Sequence, residues 1–457
     1  MPDLSSRFCG IASPNPFWLA SAPPTNSEYQ VRRAFDAGWG GAVWKTLGHE
    51  PIVNVSSRYG AIDHEGRKVI GLNNIELITD RPLAVNLAEI ARTKKAHPRH
   101  ALIVSLMVES NREAWHDITK QTQDAGADGI ELNFGCPHGM SERGMGSAVG
   151  QVPEYAEMIT GWVKEVATIP VIVKLTPNVA DVRPVARAAV RGGADGLSLI
   201  NTINSVMGVD LETLAPKPSV GGLGTHGGYC GPAVRPIALN MVAALANDPA
   251  ITVPISGIGG VGTWQDAAEF FLLGASSVQA CTAVMHHGFR IIDGLVDGLS
   301  AWMRRKGFDR LDDFIGLSSP RLRTWGDLDL NHKVVAEIDQ AKCIHCGLCY
   351  IACEDGCHQS IRWDKQPFAD FVAATGVSPT VSGGMTTMPG AGGGMVNLFT
   401  IKPDTCVGCN MCSLVCPVSG CITMKPVDTG RPPMSWNQYQ ARLAAGTVEP
   451  IRPPEHA

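Results

Sequence analysis

Alternating strand and helix patterns over residues 1–308 predict an α/β fold, a parallel (β/α)8 or TIM barrel. In four stretches a small residue and glycine lead from a helix end into a buried strand, and four further apolar runs complete the set. Amphipathic helical segments such as 152–166 and 182–191 lie between the strands. The eight predicted strands are 16–20, 37–45, 101–107, 125–133, 171–175, 192–201, 251–256 and 273–281.

The rest of the chain divides into a connector, a cysteine-rich domain and a tail. Residues 288–306 are predicted to form the helix that closes the barrel, and 309–333 a connector with few periodic signals. The cysteine-rich domain is predicted over 334–426, with a Gly- and Pro-rich insertion at 377–397 that has too little apolar bulk to pack a core of its own. The tail, 427–457, is rich in Pro and charge, and we expect it to lie on the surface or against a partner.

The spacing C-x2-C-x2-C-x3-C occurs twice in this domain and is typical of proteins that hold [4Fe-4S] clusters. Three thiolates of each run take one cluster and the fourth points to the other. Structural zinc is the alternative, but zinc sites favour two separated C-x2-C pairs. The sequence therefore predicts a small ferredoxin-like domain with two [4Fe-4S] clusters, and Cys357 and Cys421 are interpreted as structural thiols. The predicted ligands are Cys343, Cys346, Cys349 and Cys416 for one cluster, and Cys406, Cys409, Cys412 and Cys353 for the other.

Composition narrows the classes of protein that this chain can be. Ten of its 14 cysteines lie within 343–421, an uneven distribution that argues against a disulfide framework and favours a reducing cytoplasm. The first residues show no basic region followed by an apolar stretch, and the longest apolar run, 101–108, is too short to span a bilayer. The net charge of -5 and the absence of a basic stripe argue against a nucleic-acid partner.

Polar side chains at the strand ends predict the position of the active site, because sites in such barrels form at the C-terminal ends of the strands. Lys45 and Lys174 end the second and fifth strands, where a positive charge suits the electron-rich pyrimidine edge of a flavin. Asn133 and Asn201 end the fourth and sixth strands, and their donors and acceptors match an imide or amide face. A simple loop cap is the alternative for each asparagine.

The segment SGIGGVG, 256–262, satisfies G-x-G-x-x-G, the pattern of a dinucleotide-binding turn. It follows the seventh strand, however, and no acidic residue ends the next strand to hold a ribose. We interpret it as a barrel phosphate site, formed together with the turn at Cys281 and Thr282 after the eighth strand. FMN is the expected occupant.

A glycine-rich loop, 133–150, follows the fourth strand and is free to close over a bound ring. Cys136 lies at its base, where a thiol near a flavin can give a proton to a carbon while hydride reaches the neighbouring carbon. The alternative is a small buried apolar side chain, the commoner fate of a single cysteine. His138 is expected either to tune Cys136 or contact the substrate, or to be a solvated loop residue.

Four motifs and the two cysteine runs together resemble the dihydropyrimidine dehydrogenases, in particular their bacterial catalytic subunits, over nearly the whole chain. The motifs are NFGCPHGM (133–140), GLNNIEL (71–77), VKLTPN (173–178) and INT (200–202). The resemblance implies a barrel with FMN, two [4Fe-4S] clusters, and reduction of the 5,6 double bond of uracil or thymine. Hydride would pass from N5 of FMN to C6 of the ring, and Cys136 would protonate C5.

The resemblance also implies residue roles and a partner. Residues expected to hold the pyrimidine are Asn74, Glu76, Asn133, His138, Asn201 and Thr202. Residues expected to contact FMN are Ser21, Lys45, Thr46, Lys174, Gly228, Gly259, Gly260, Cys281 and Thr282. We find no convincing NAD(P) or FAD site in the sequence, so a separate FAD-containing subunit is expected to oxidise NAD(P)H and to pass electrons through the clusters in a hetero-oligomer.

Two features depart from the family pattern. Gly135 stands where some relatives carry serine, and the loop between the cysteine runs is longer than in the family pattern.

Two other functions stay open. A dihydroorotate-dehydrogenase-like reaction would need a cation for the substrate carboxylate, and Glu76 disfavours that anion. A non-catalytic electron-transfer subunit is the other alternative, against which Cys136 and the strand-end asparagines count.

Overall fold

A computed structural model of the chain describes residues 2–63, 69–137, 139–377, 381–382, 385–386 and 394–450. The chain divides into two compact units, Met1–Leu322 and Arg323–Ala457. The first unit contains the barrel and the second contains both cysteine runs. None of the described helices combines the length and the apolar character that a membrane span requires.

Eight parallel strands close into a barrel in which each barrel strand pairs with the next one along the chain, and this confirms the predicted fold class. The seventh strand begins later than the predicted 251–256, because Pro254 has no N–H to contribute to a strand ladder. Gly257 consequently lies within that strand and not in the loop after it. The barrel strands are β3 (Phe17–Leu19), β4 (Gly41–Leu47), β7 (Ala101–Leu106), β8 (Gly129–Asn133), β9 (Val171–Lys174), β10 (Gly196–Leu199), β13 (Ile255–Ile258) and β14 (Ser277–Ala280).

Helices alternate with the barrel strands, and several begin at a side-chain cap. The side chain of Asn111 accepts hydrogen bonds from two backbone amides at the start of α3, and Ser27 and Thr263 cap α1 and α8. The helices of the first unit are α1 (Glu28–Ala37), α2 (Leu83–Ala96), α3 (Arg112–Asp124), α4 (Ser147–Gly150), α5 (Pro153–Lys164), α6 (Arg183–Arg191), α7 (Arg235–Ala246), α8 (Trp264–Leu272), α9 (Thr282–His287) and α10 (Ile291–Lys306).

One continuous apolar core joins the barrel strands to these helices. Trp44 and Phe271 have no exposed surface, and the indole N–H of Trp44 donates to Asn86 Oδ1 at 3.0 Å. An N-terminal hairpin, β1 (Ser6–Phe8) and β2 (Ile11–Ser13), packs against Trp18 of β3 in a separate small cluster. Dense packing of this kind holds the strand ends rigidly and so fixes the side chains that they carry.

A four-stranded antiparallel sheet, which the sequence did not predict, is formed by two separate excursions from the barrel. Its strand order is β11-β12-β6-β5, and Asn74 is in register with Tyr59 on one side and with Gly228 on the other. The sheet thereby brings residues that follow β4 beside residues that follow β10. Its strands are β5 (Tyr59–Asp63), β6 (Val69–Asn74), β11 (Ile203–Ser205) and β12 (Gly227–Cys230).

The second unit is built on two antiparallel strand pairs, β15 (Lys333–Ile338) with β20 (Ile422–Val427) and β16 (Ile361–Pro367) with β19 (Met395–Ile401). Short helices α11 (Leu348–Glu354) and α13 (Met411–Leu414) carry cysteines of the two runs. Most of the predicted insertion 377–397 lies outside the described residues. The chain between β16 and β19 also contains α12 (Phe368–Thr375), β17 (Val381–Ser382) and β18 (Met385–Thr386).

The tail contains a helix that the sequence analysis did not predict, α14 (Trp436–Ala444). A capping box of Ser435 and Gln438 begins it, and Trp436 packs against Trp325 with ring centroids 5.8 Å apart. The S-x-x-Q signal was therefore present in the sequence. Short 3-10 helices occur at Pro23–Thr25, Ser141–Arg143, Pro232–Val234, Leu311–Asp313, Ser319–Arg321 and Trp325–Asp327.

Candidate active site and cluster cavities

A cavity of about 810 Å³ opens at the C-terminal ends of the barrel strands. Its walls come from the strand ends, from the loop after β8 and from the antiparallel sheet. A cavity of this size is large enough for a flavin and a small ring together. The site residues from the sequence that line it are Ser21, Lys45, Thr46, Asn74, Glu76, Asn133, Cys136, Lys174, Asn201, Thr202, Gly259, Gly260, Cys281 and Thr282.

Of the described site residues from the sequence, Gly228 is not part of this wall. His138 lies outside the described residues. Gly228 belongs to β12 and does not line the cavity; its carbonyl accepts a hydrogen bond from Asn74 Nδ2 at 3.1 Å, and a Cβ on it would stand 2.2 Å from Thr202 Oγ1. Gly228 therefore supports Asn74 and Thr202 from behind the wall, and its expected contact with FMN stays a prediction.

Glu76 is the centre of a polar cluster at one side of the cavity, in which Glu76 and Lys45 have buried side chains and Tyr59 and Arg58 are partly exposed. The ammonium of Lys45 forms a short ion pair with one carboxylate oxygen, and the hydroxyl of Tyr59 donates to the other. Arg58 Nη1 lies 3.7 Å from the carboxylate. Burial, followed by the hydrogen bond to Glu76, raises the pKa of Tyr59, so the hydroxyl stays protonated and donates. The sequence analysis missed Tyr59 and Arg58, which lie in the unpredicted sheet or next to it.

A second ion pair lies at the floor of the cavity. Lys174 Nζ is 3.5 Å from Glu131 Oε1, and Glu131 is completely buried. The other carboxylate oxygen accepts hydrogen bonds from Ser198 Oγ at 2.9 Å and Gln279 Nε2 at 3.2 Å. Glu131 was not among the residues singled out from the sequence, although a charged residue within the buried strand GIELN is a signal of this kind of pairing.

A chain of hydroxyl and amide groups connects the first, second, fourth and sixth strand ends. Ser21 Oγ lies 3.0 Å from Thr46 Oγ1, which accepts a hydrogen bond from Asn133 Nδ2 at 3.0 Å. Asn133 Oδ1 in turn accepts one from Asn201 Nδ2 at 2.9 Å. Each bond uses one donor and one acceptor, so together they fix the orientation of both amide groups at the cavity wall.

The backbone of Cys136 is held by the loop that follows it. Its carbonyl oxygen accepts hydrogen bonds from Ser141 Oγ at 2.6 Å and from the amide of Ser147 at 3.0 Å. Gly146, with φ of 58°, packs so closely that a Cβ would stand 2.8 Å from the same oxygen. Because Cys136 is 9% exposed and lines the cavity, its thiol is held at the cavity wall.

The glycine turn after β13 forms a cradle in which side chains would collide. Gly259 and Gly260 have φ of 123° and 76°, and a Cβ on Gly260 would meet Arg235 at 2.7 Å. The amides of Gly262 and Thr263 already donate to Asp266 at 3.0 and 2.8 Å. Only the first part of the G-x-G-x-x-G segment is therefore open to a phosphate, beside the turn at Cys281 and Thr282.

These residues fit FMN. The cavity has a bare backbone cradle for a phosphate at one end and two buried lysines near the other strand ends. Gln279 lines it, and within the described part of the chain its buried Oε1 has no hydrogen-bond partner. That oxygen is suited to accept from a flavin ring N–H. Burial raises the pKa of the Cys281 thiol to about 12, so this cysteine is a neutral contact and not a reactive thiolate.

Two small cavities in the second unit are lined by cysteines from both runs. Of the eight expected ligands, each cavity has three from one run and one from the other, as the C-x2-C-x2-C-x3-C pattern of two [4Fe-4S] clusters requires. One cavity is lined by Cys343, Cys346, Cys349 and Cys416, and the other by Cys353, Cys406, Cys409 and Cys412.

Comparison with protein families gives the class of protein that these two units form. Residues 3–303 match the family model for dihydroorotate dehydrogenase, and residues 342–421 match the 4Fe-4S dicluster domain. The chain is thus an oxidoreductase that joins a barrel of the dihydroorotate dehydrogenase type to a 4Fe-4S domain. These two families imply FMN in the barrel and 4Fe-4S clusters in the second unit.

Individual relatives narrow this class. The chain is 43% identical over 365 residues, 80% of its own length and 88% of the relative, to the NAD-dependent dihydropyrimidine dehydrogenase subunit PreA of Escherichia coli K12. It is 42% identical over 352 residues, 75% of its length and 83% of the relative, to the chloroplastic dihydropyrimidine dehydrogenase (NADP(+)) of Arabidopsis thaliana. The chain belongs to the dihydropyrimidine dehydrogenase family.

More distant matches concern the barrel. The catalytic subunit of dihydroorotate dehydrogenase B (NAD(+)) from Pyrococcus abyssi is 36% identical over 319 residues, 69% of this chain and 99% of the relative. Among solved structures, DHODH from Eimeria tenella in complex with ferulenol gives a TM-score of 0.58 at 19% identity. The match covers 70% of this chain and 89% of that one and concerns the fold alone.

Proposed function

We propose that this chain is the catalytic subunit of a dihydropyrimidine dehydrogenase, and that it reduces the 5,6 double bond of uracil or thymine. One observation carries the proposal: a thiol, a carboxylate and three amides line the same cavity, namely Cys136, Glu76, Asn74, Asn133 and Asn201. A pyrimidine ring presents N–H donors and C=O acceptors at its edge. These side chains supply the complementary groups.

Recognition of the ring rests on groups that are already oriented. Lys45 and Tyr59 hold the carboxylate of Glu76 at the cavity wall, and a carboxylate is a suitable acceptor for a ring N–H. The Asn133–Asn201 hydrogen bond fixes which amide atoms face the substrate. A ring that lacks the matching groups would leave buried polar atoms unpaired, at a cost of about 1–3 kcal/mol each.

Cys136 is proposed to give the proton that reaches C5 of the ring as hydride reaches C6. FMN, when bound, supplies that hydride from its N5. The two hydrogen bonds to the carbonyl of Cys136 fix its backbone at the cavity wall, which supports the positioning that general acid catalysis requires. The thiolate left after the transfer is reprotonated before the next turnover.

Electrons are proposed to enter from a separate subunit. Two [4Fe-4S] clusters, when bound, supply one-electron transfer, and the interleaved cysteines of the second unit provide eight ligands for them. We propose that the partner holds FAD and oxidises NAD(P)H, and that the complex is a cytoplasmic hetero-oligomer. The name of the Escherichia coli relative, an NAD-dependent subunit, supports this proposal.

Reaction at a carboxylated pyrimidine, as in dihydroorotate dehydrogenase, is the second candidate, because the barrel matches that family model. The substrate carboxylate would need a free cation near Glu76. Lys45 and Arg58 are both near Glu76, but both are within salt-bridge distance of it already. This arrangement favours a neutral ring over orotate.

A substrate panel tests the proposal. The chain is purified anaerobically, supplied with an artificial low-potential electron donor, and offered uracil, thymine, orotate and hydantoin. We expect rapid reduction of uracil or thymine and little of orotate, measured by product formation. Preferential turnover of orotate would favour the second candidate, and no turnover of any ring by a chain that holds flavin and about eight irons would favour an electron-transfer subunit.

A further inference from the structure

Each cluster cavity is lined by five cysteines, although a [4Fe-4S] cluster takes four. Cys421 is the fifth at one cavity, and Cys357 is the fifth at the other. The sequence analysis interpreted both as structural thiols. Because both cysteines line the cluster cavities, their positions indicate a role connected with the clusters.

Cys421 lies against two of the expected ligands of its cavity. Its thiol lies near those of Cys416 and Cys343 at the same cavity, and its Sγ is 3.6 Å from the carbonyl oxygen of Asp339. Backbone hydrogen bonds fix it, since its amide donates to Val418 and its carbonyl accepts from Asp339 at 2.7 Å. Cys421 is 2% exposed, so its thiol faces the protein interior and not solvent.

Cys357 has the corresponding relationship at the second cavity. Its thiol lies near those of Cys409 and Cys353 at the same cavity. Its amide donates to the carbonyl of Cys353 at 3.3 Å, and its carbonyl accepts from Gln359 Nε2 at 3.3 Å. Cys409 is an exposed ligand, so this thiol stands next to a corner of the cavity that solvent reaches.

The two fifth cysteines occupy equivalent places in the chain. Cys416 ends the second run and reaches across to the cavity of the first, and Cys421 follows it closely. Cys353 ends the first run and reaches across to the cavity of the second, and Cys357 follows it closely. A thiol beside a ligand recurs in both halves of the unit, which argues against an incidental position at either one.

We propose that Cys421 and Cys357 are reserve cluster ligands, which can take over the iron corners of Cys416 and Cys409. In the exchange an Fe–S bond to Cys416 breaks and one to Cys421 forms. The proton of the Cys421 thiol passes to the Cys416 sulfur, and no electron is transferred. The same exchange joins Cys357 and Cys409. The proposal rests on the two clusters of the proposed function.

Iron and sulfide content, with electron paramagnetic resonance of the dithionite-reduced protein, tests the proposal in the full chain. Anaerobically purified Cys416→Ala is expected to keep about eight irons, as in the unmodified chain. Cys349→Ala is the matched control, because it removes a different expected ligand of the same cavity, whose iron corner Cys421 is not proposed to take. This control is expected to lose iron, as is the double variant Cys416→Ala/Cys421→Ala.

Two results would overturn the proposal. One is a loss of iron from Cys416→Ala as large as that from Cys349→Ala, a comparison that does not depend on the double variant folding. The other is loss of iron from Cys421→Ala alone, which is expected to keep both clusters. A deficit of iron in the unmodified chain would instead contradict the two clusters themselves.

The second cavity provides an independent test with the same readout. Cys409→Ala is expected to keep about eight irons, because Cys357 stands beside it. Cys412→Ala is the control, since Cys412 is an expected ligand of the same cavity whose iron corner Cys357 is not proposed to take. Equal loss of iron from the two variants would remove Cys357 from the reserve role.

Discussion

Gly135 lies directly against Asn201: a Cβ built on Gly135 would stand 2.4 Å from the Cβ of Asn201 and 2.5 Å from its Nδ2. Asn201 cannot simply withdraw, because its Nδ2 donates to Asn133 at 2.9 Å. From the sequence, this glycine was noted only as a position where some relatives carry serine. In the structure, glycine here is what allows Asn201 its position at the cavity wall.

Gly135→Ala should therefore displace Asn201 from the substrate. Because the change disturbs about one buried hydrogen bond to the ring, worth roughly 1–3 kcal/mol, we expect kcat/KM for uracil to fall about 10- to 100-fold. Flavin content should not change. Gly161→Ala is the control, since Gly161 lies in α5 with nothing within 4 Å of its Cβ position. Unchanged kinetics in Gly135→Ala would show that Asn201 does not contact the ring.

Cys136→Ser tests the proton donor. A serine hydroxyl is a far weaker acid than a thiol, so we expect pyrimidine reduction to fall at least about 100-fold, with flavin absorbance and iron content unchanged. Cys9→Ser is the control: Cys9 does not line the cavity, and its thiol donates to the carbonyl of Asp195 at 3.3 Å, a bond that serine can keep. Near-normal turnover in Cys136→Ser would assign the proton to another group.

Tyr59→Phe removes a hydrogen bond that positions Glu76. We expect about a tenfold loss of kcat/KM, the equivalent of about 1.4 kcal/mol, and unchanged flavin content. Tyr155→Phe is the control, because Tyr155 is 51% exposed on α5. Since the pKa of Tyr59 is raised above its usual 10.0, the hydroxyl stays neutral and the pH profile of kcat/KM should show no ionisation of Tyr59 below pH 10. An inflection below pH 10 that is absent in Tyr59→Phe would contradict this assignment.

Glu131→Gln tests the buried ion pair under the flavin site. It leaves the Lys174 ammonium, 7% exposed, without its carboxylate, so we expect the free energy of unfolding of the flavin-free protein to fall by about 3 kcal/mol. Glu157→Gln is the control, because it breaks an exposed pair with Arg191 and should change stability by less than about 0.5 kcal/mol. Urea denaturation measures both. Equal stability of the two variants would show that the buried pair contributes nothing.

The barrel and the residues at its strand ends could be predicted from the sequence because both follow from local patterns. Buried parallel strands are short apolar runs. A polar residue that ends such a run lies at the C-terminal end of the barrel, where active sites form. Lys174 and Asn133 are the last residues of β9 and β8, as this logic requires. The cysteine spacing is equally local, and each run contributes to both cavities as expected.

The residues that were missed depend on contacts between distant segments. Tyr59 and Arg58 lie in or next to a sheet whose strands come from two separate excursions, and no periodicity of one segment reveals the other. Glu131 gains its role only because Lys174, Ser198 and Gln279 converge on it from other strands. Gly228 was expected to contact FMN, and in the structure it lies behind the cavity wall. The sequence alone does not show whether such a glycine lines the cavity or supports the residues that do.

Each cysteine run contributes to both cavities, and this arrangement affects how the segment between the runs can vary in length within the family. Cys353 and Cys406 line the same cavity, so the chain that leaves β16 and returns through β19 begins and ends at one fixed place. Lengthening a loop whose ends are already held costs little, about 0.6 kcal/mol for each doubling. Residues can therefore be inserted between the runs without altering any expected iron ligand. This segment is thus a suitable position for an additional binding surface or for an engineered fusion.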